Sequence, residues 1–419
     1  MMRKYIVAMM YSLAAVGSCT AQVLSIDSCY VLAEKNYPLI AQYDLIEKTR
    51  DFTLSNANKA FLPQLSITAI EGYVFGELPN FGPAGSETAG SDFKFIGIAQ
   101  LNQTIWDGGA IKAQKKIITA SSDAEKASLD VAIYDLHARV NQLYFGILLV
   151  DEQLIQLQVQ NAMLGNNVNR IKQLSDNGLA YKTDLDEIKV EQLKLNQQKT
   201  ELQYVRTGYV TMLSMLMGVR IGEQTTLQKP ALNNLPLDFP MMRPELSLYQ
   251  SQRNIVDAQS EMQRVSLMPK IGLLGAGLML SPGIGAGGNS VTSVGVAGLS
   301  ASWSIGGFYK RANEKRLNQQ SLQKINLQEQ TFLFNTKIQI TQASANIEKH
   351  KAILAADEEI VSLRQNIRES YQVKYNAGSG SLMDLLNATD KESEARSQKA
   401  LHEMQLLLTI YEQKTITGN

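Results

Sequence analysis

Ile105-Trp106-Asp107-Gly108-Gly109 closes a run of alternating apolar and polar residues and opens a long stretch without proline. Trp303-Ser304-Ile305-Gly306-Gly307 does the same about two hundred residues later. Two further landmarks recur at a similar offset. Phe61-Leu62-Pro63 returns as Leu267-Met268-Pro269. Asn177-Gly178 with Leu179 to Leu185 returns as Ala377-Gly378 with Ser379 to Leu385. A shared offset over separate landmarks marks an internal duplication, and each copy reads helix, strand, strand, long helix, break, helix. The expected segments are a signal peptide at 1–21, a first repeat at 22–220, a linker at 221–242 and a second repeat at 243–419.

Between Gly108 and Asp176 the only further glycines are Gly109, Gly146 and Gly165, and there is no proline. Leu129, Ile133, Leu136, Val140, Leu143, Ile147, Val150, Leu154, Leu157, Asn161, Leu164, Val168 and Ile171 alternate spacings of four and three. That register, held for about six heptads, predicts a coiled-coil helix, because an ordinary amphipathic helix drifts off it. At 1.5 Å per residue the stretch extends about 100 Å, too long for a compact domain. The second copy runs from Phe308 to Asn376, with Ile353, Ala356, Ile360, Leu363 and Ile367 as its clearest seam. Leu333, Ile340, Ala343, Ile347 and Leu354 sit in a shifted register, as a stutter produces. Each long helix stops at a glycine break and returns. Ile188, Leu195, Leu202, Tyr209 and Leu216 recur at every seventh position of the first return, and Leu382 to Tyr411 forms the second. The pattern predicts two antiparallel helical hairpins.

Phe93, Phe95, Ala99, Leu101 and Ile105 alternate with Lys94, Gln100, Asn102 and Thr104; after Pro63, Leu65, Ile67 and Ala69 alternate with Gln64, Ser66 and Thr68. A period of two with one apolar and one polar face fits a sheet between lipid and water. The second pair, Ile271 to Leu280 and Val291 to Ile305, is richer in glycine. Gly/Pro/Ser-rich loops are expected at Leu78 to Ser91 and Ser281 to Ser290. Two strands per copy make four per chain, and such a sheet has two open edges that a bilayer does not tolerate. Two chains would close an eight-stranded barrel filled by its own side chains, and three a twelve-stranded barrel with a lumen. The polar face favours three.

The chain carries 40 basic and 40 acidic residues, so it has no electrostatic footprint for nucleic acid. Arg3 and Lys4 precede the apolar run Tyr5 to Val16, a secretory signal. Two processing routes fit: cleavage after Ala21, or a lipoprotein box at Val16-Gly17-Ser18-Cys19 with lipid on Cys19. Cys29 reads as a small buried hydrophobe. No apolar run reaches the ~20 residues of a membrane helix, so membrane entry must use strands. His137, His350 and His402 are scattered along helices without metal-ligand spacing and are expected to face solvent or a seam. No nucleophile motif or phosphate loop is present, so neither an enzyme nor a cofactor is expected.

Taken together, the order of elements resembles the TolC family of outer-membrane efflux and secretion ducts. The resemblance runs from Leu24-Ser25-Ile26-Asp27-Ser28-Cys29 to the last helix, through the Trp106-Asp107-Gly108-Gly109 junction. Its most specific parts are the tips, Gly178 to Asp184 and Tyr375-Asn376-Ala377-Gly378-Ser379-Gly380-Ser381-Leu382-Met383-Asp384-Leu385. The family implies a mostly α-helical chain with a membrane β portion. It assembles as a homotrimer with a twelve-stranded β-barrel in outer-membrane lipid and a twelve-helix barrel in the periplasm. It also implies a periplasmic adaptor protein at the tips and an inner-membrane pump behind it. By the same resemblance Asp384 is a pore-facing acid, the second acidic position falls on Asn387, and Asp184 and Tyr375 match members of the closing lock. The lock's arginine position is Gly380. The adaptor-contacting residues are Gly178, Leu179, Gly378, Ser379 and Gly380. Local readings stand beside these roles: Asp184 as a helix cap, Tyr375 as packing, and Asp384 as a complement to a helix dipole. The expected function is a passive export duct for drugs, ions or other pump cargo. A type I duct for secreted proteins and a non-conducting adhesive coiled-coil protein are the alternatives.

Overall fold

The computed structural model describes residues 23–73, 93–177, 181–222, 225–232, 240–282 and 290–419. The signal segment with Cys19, the loop predicted at 78–91, and the tip residues Gly178 and Leu179 lie outside the described residues. The elements are α1 (Ile26–Asn36), a 3-10 turn (Pro38–Ile40), α2 (Ala41–Lys59), β1 (Gln64–Tyr73), β2 (Phe93–Trp106), α3 (Ala110–Tyr134), α4 (Leu136–Asp176), α5 (Lys182–Met217), α6 (Pro244–Val265), β3 (Lys270–Leu280), β4 (Thr292–Ser302), α7 (Gly307–Asn376) and α8 (Leu382–Thr417). The mostly helical class and the predicted order of elements hold. The chain forms two compact units, one from Met1–Ile40, Asp130–Pro244 and Phe332–Asn419, the other from Ala41–Leu129 and Glu245–Thr331. Each therefore draws on both halves of the sequence.

The second unit holds the sheet. Its four strands pair in the order β1-β2-β3-β4, all antiparallel. Among the described residues β1 and β4 are open edges, and every residue of β1 is exposed. The fourth strand ends at Ser302, short of the expected Ile305, because residues 305–306 already turn into α7. The recurring junction motifs meet beside the sheet. Asp107 starts α3 by accepting hydrogen bonds from the N–H groups of Gly109 (2.9 Å) and Ile111 (2.5 Å), a carboxylate on orphan helix donors. Gly108 sits at φ +71°, and a Cβ there would lie 2.4 Å from Met268 Cβ. Trp303 Nε1 donates to Leu267 O at 2.9 Å. The helices of this unit are stitched by ion pairs: Lys126 to Glu47, Lys116 to Glu261, and Arg253 to Glu329.

In the first unit, α4 and α5 form the predicted antiparallel hairpin. From Leu129 to Ile171 every seam position is buried or half-buried except Asn161, which is exposed. The helix expected from Gly108 to Asp176 is interrupted at Asp135. There Tyr134 donates to Thr415 O at 3.0 Å, and His137 Nε2 meets Glu34 at 2.7 Å. Two neighbouring side chains thus pull the turn toward different elements, while Asp135 N–H still reaches Val131 O at 3.3 Å. In the other copy α7 is continuous over 70 residues. The main core joins α1, α4, α5 and α8 through Cys29, Val140, Tyr144, Leu213, Met217 and Leu407. Cys29 is buried, and burial pushes its thiol up to about 12, so it is an inert core residue. Tyr144 donates to both Leu24 O (2.9 Å) and Gln228 O (2.6 Å), tying the first described residues to the linker. No helix among the described residues is long and apolar enough to cross a membrane.

Candidate functional site

The tip between α7 and α8 is a Schellman turn. Ser379 N–H donates to Lys374 O (3.0 Å) and Gly378 N–H to Tyr375 O (3.1 Å), with Gly378 at φ +75°. Nothing lies within 4 Å of a Cβ at Gly378, so its glycine serves the backbone alone. At Gly380 a Cβ would meet Lys374 Cβ and Tyr375 N at 3.1 Å, a tight approach that a larger residue could take only if the returning chain gave way by a few tenths of an ångström. Ser381 then caps α8 by accepting from Asp384 N–H at 3.1 Å.

Asp384 is exposed, and its carboxylate accepts from Ser381 Oγ at 2.8 Å. It thus completes the first turn of α8 and still presents charge outward. Asp184 is not the N-cap the local reading expected: Tyr181 holds that position, and Asp184, three residues on, accepts from Tyr181 N–H at 3.2 Å, the position-three half of a capping box. Tyr375 packs against the tip core of Leu164, Ile171, Ile188, Leu195, Leu382 and Leu386. That core brings the two hairpins together around the residues of the expected lock.

Asn387 lies in a groove between α5 and α8 that the sequence reading missed. Asp186, Glu187, Glu191 and Asp390 line it around Val190, Met383 and Leu386. Burial, then the Glu191 charge, pushes the Asp390 carboxyl above its ordinary range. Gln160 of α4 donates to Asp390 at 2.9 Å and accepts from Ser393 Oγ at 2.9 Å. The i, i+3 spacing of Asn387 and Asp390 was available as a signal; the approach of α5 was not.

The hairpin of α7 and α8 is closed by polar pairs running in opposite directions along the two helices. They are Arg368 with Glu392, Arg396 with Gln365, Lys399 with Glu358, His402 with Asp357, and Gln413 with Ser344. Glu392 is buried. Burial alone would raise its carboxyl, but hydrogen bonds from Arg368 and Arg396 outweigh this and hold it below the ordinary carboxylate range. His402 and His137 lie at helix–helix seams, one of the two placements expected. His402 Nδ1 meets the Asp357 carboxylate at 2.6 Å, and His137 stacks on Tyr30 at 4.2 Å. Burial first, then the Lys349 and His402 charges, lowers His350. No cluster among the described residues could hold a metal ion.

Apolar residues also line the margins of the helical unit. In α7, Ile360, Leu363 and Ile367 are 46%, 54% and 41% exposed, although they continue the predicted seam. Val190, Leu193, Tyr204 and Met215 of α5 are exposed as well. The shifted residues Ala343 and Ile347 are the buried ones, with Ile347 packed on Leu406 and Ile410 of α8.

No family model and no curated protein matches the sequence. Solved structures do match. A membrane protein from Pseudomonas aeruginosa is similar at TM-score 0.65 and 13% identity, over 94% of this chain and 90% of that one. The outer membrane protein VceC from Vibrio cholerae is similar at TM-score 0.64 and 13% identity, over 94% and 96%. The CmeC outer membrane channel of Campylobacter jejuni is similar at TM-score 0.64 and 14% identity, over 94% and 85%. At such identities the likeness concerns the fold, and it spans nearly the whole chain. This chain has the fold of the outer-membrane channels, the one expected from its resemblance to the TolC family.

Proposed function

We propose that this chain is one of three identical subunits of a TolC-family duct in the outer membrane, exporting small molecules delivered by an inner-membrane pump through a periplasmic adaptor. The observation that carries this reading is the sheet, four antiparallel strands whose outer edges on β1 and β4 are open among the described residues. An unpaired backbone group in lipid costs several kcal/mol, so the edges must find partners. Because the strand number is even, β4 of one copy runs antiparallel to β1 of the next, and head-to-tail pairing closes a ring. Within the helical unit, the exposed stripes on α5 and α7 also call for partners. Three copies leave a lumen where two would fill it.

In this reading the Gly378-Ser379-Gly380 turn meets the adaptor, together with the other tip at Gly178 and Leu179. Asp384 faces the pore near its narrow end, with Asn387 one turn further along. Sedimentation of the detergent-solubilised protein tests the assembly, and single-channel recording in planar bilayers tests conduction. A stable monomer with full β content would overturn the trimer. A homogeneous trimer that never conducts, even with altered tips, would favour the adhesive coiled-coil alternative.

A further inference from the structure

Register and alternation divide the sheet into two faces that differ in a way the duct reading leaves unexplained. One face carries Leu65, Ile67, Phe95, Leu101, Leu273 and Leu299 and is mostly apolar, as lipid requires, interrupted by Glu71 opposite Phe95, Gln103 opposite Leu273 and Ser293 opposite Met279. The other is polar on β1 and β2 at the end nearest the helices, with Gln64, Ser66, Gln100, Asn102 and Thr104, while β3 there carries Leu274 and Ala276 and β4 carries Ser300. Toward the opposite end that same face turns largely apolar, at Ile70, Ile96, Ile98, Leu278, Leu280 and Val294, with Thr68 and Thr292 at its margins and Val296 adjoining it on the row of Gln100. Cross-strand pairs make the patch continuous: Ile70 faces Ile96, Ile98 faces Leu278, and Leu278 faces Val294. Val294 and Val296 are 60% and 61% exposed.

The charges on this face are of one sign. Lys94 lies one step beyond Ile96 toward the strand-loop end, and Lys270 lies at the helix end of β3; no acidic residue shares the face within the strands. Among the described residues Lys94 Nζ donates one hydrogen bond, to Pro282 O at 2.9 Å. An ammonium has three donors, so this geometry leaves donors for an anion.

Resting on the trimeric-duct reading, we propose that this patch forms an apolar collar inside the β-barrel that binds anionic amphiphiles in transit. The apolar body lies against Ile98, Leu278, Val294 and Val296, and the anionic group lies toward Lys94. From Ile96 to Ile98 the strand rises about 7 Å, the length of an alkyl chain of about five carbons. The collar makes the pore wall selective where the polar half of the same face is not.

The test uses the full-length trimer in planar bilayers, with n-alkanesulfonates from ethane- to octanesulfonate as blockers of potassium chloride current. In the wild type the half-blocking concentration should fall with chain length, approaching about fourfold per methylene at full burial. Alkylammonium ions of equal length should block more weakly. Val294→Thr with Val296→Thr keeps the β-branched shape and should flatten the chain-length dependence without changing open conductance. Lys94→Gln should weaken every sulfonate by a similar factor and leave the slope unchanged. A conducting trimer whose block is independent of chain length overturns the collar and leaves the duct intact. A trimer without conductance overturns the duct itself, and the collar with it. Octanesulfonate block equal in wild type and the threonine variant also overturns the collar.

Discussion

Replacing Glu392 by glutamine should loosen the α7–α8 hairpin by a measurable and pH-dependent amount. The carboxylate accepts from Arg368 Nε at 2.6 Å and from Arg396 Nε and Nη2 at 2.9 and 2.7 Å, with its side chain only 5% exposed. Removing one partner of a fully buried ion pair costs about 3–5 kcal/mol. Here the upper value does not apply. Arg396 is 36% exposed, and both arginines keep other partners, Glu369 and Gln365. Hydrogen bonds to charged groups, about 1.5–3 kcal/mol, set the scale, so about 2 kcal/mol per chain is expected. The sign with pH follows from the lowered carboxyl. Its folded value lies below the ordinary 4.5, so the stabilisation is complete above that value and lost as pH falls through the folded one. Circular-dichroism melts of the detergent-solubilised protein should place Glu392→Gln several degrees below wild type at pH 7. The two curves should converge as the buffer is acidified below 4.5. Equal midpoints at pH 7, or a gap that persists unchanged into acid, would refute the coupling.

Leu143→Asp should abolish assembly, because Leu143 packs on the main core of the helical unit. Leu154→Asp should be milder, since Lys199 and Arg206 line the same groove; heat-resistant oligomer on gels reads both. Gly378→Val should cost about 1–2 kcal/mol at the tip through its left-handed backbone and reduce export in cells, whereas Gly378→Asn should retain it. Full resistance with the valine would remove the tip from the export path. Asp384→Asn should lower the cation preference of the channel and Asn387→Asp should raise it. Unchanged reversal potentials in both would leave Asp384 as a dipole complement worth about 0.3–1 kcal/mol.

Local physics was legible where one residue type meets one backbone demand. Gly378 takes positive φ, Pro63 and Pro269 precede strands, and the seam from Leu129 to Ile171 is buried or half-buried but for Asn161. What was not legible depends on which helix faces which. Ile360, Leu363 and Ile367 repeat as regularly as the α4 seam, yet they are exposed, while Ala343 and Ile347 of the shifted register are buried. Spacing reports that a stripe is apolar but not whether its partner lies in the same chain. The Arg368–Glu392–Arg396 cluster, the Gln160 bridge and the acidic groove escaped for a related reason. Each joins residues whose adjacency is set by the stagger of two helices, which heptads alone do not specify. The interruption at Asp135 follows from partners of Tyr134 and His137 on α8 and α1, again distant in sequence.

The exposed margins carry one more consequence for how copies meet. Within the helical unit α4 packs on α5 and on α8, and α8 is tied to α7, so α5 and α7 lie outermost. In the sheet β1 and β4 lie outermost. In both units, then, one margin belongs to the first half of the sequence and the other to the second. An isologous two-fold contact would join like margins, β1 to β1 or α7 to α7, and would leave the unlike margins bare. A head-to-tail contact would join β4 to β1 in the sheet, and a contact of the same kind would join α7 to α5 in the helical unit. Duplication supplies this directly, since two similar halves produce two similar but non-identical margins. Within one chain the first half already packs on the second through α4 and α8 and through β2 and β3. Each contact between subunits would then repeat, with second half against first, the kind of contact that already exists inside the subunit.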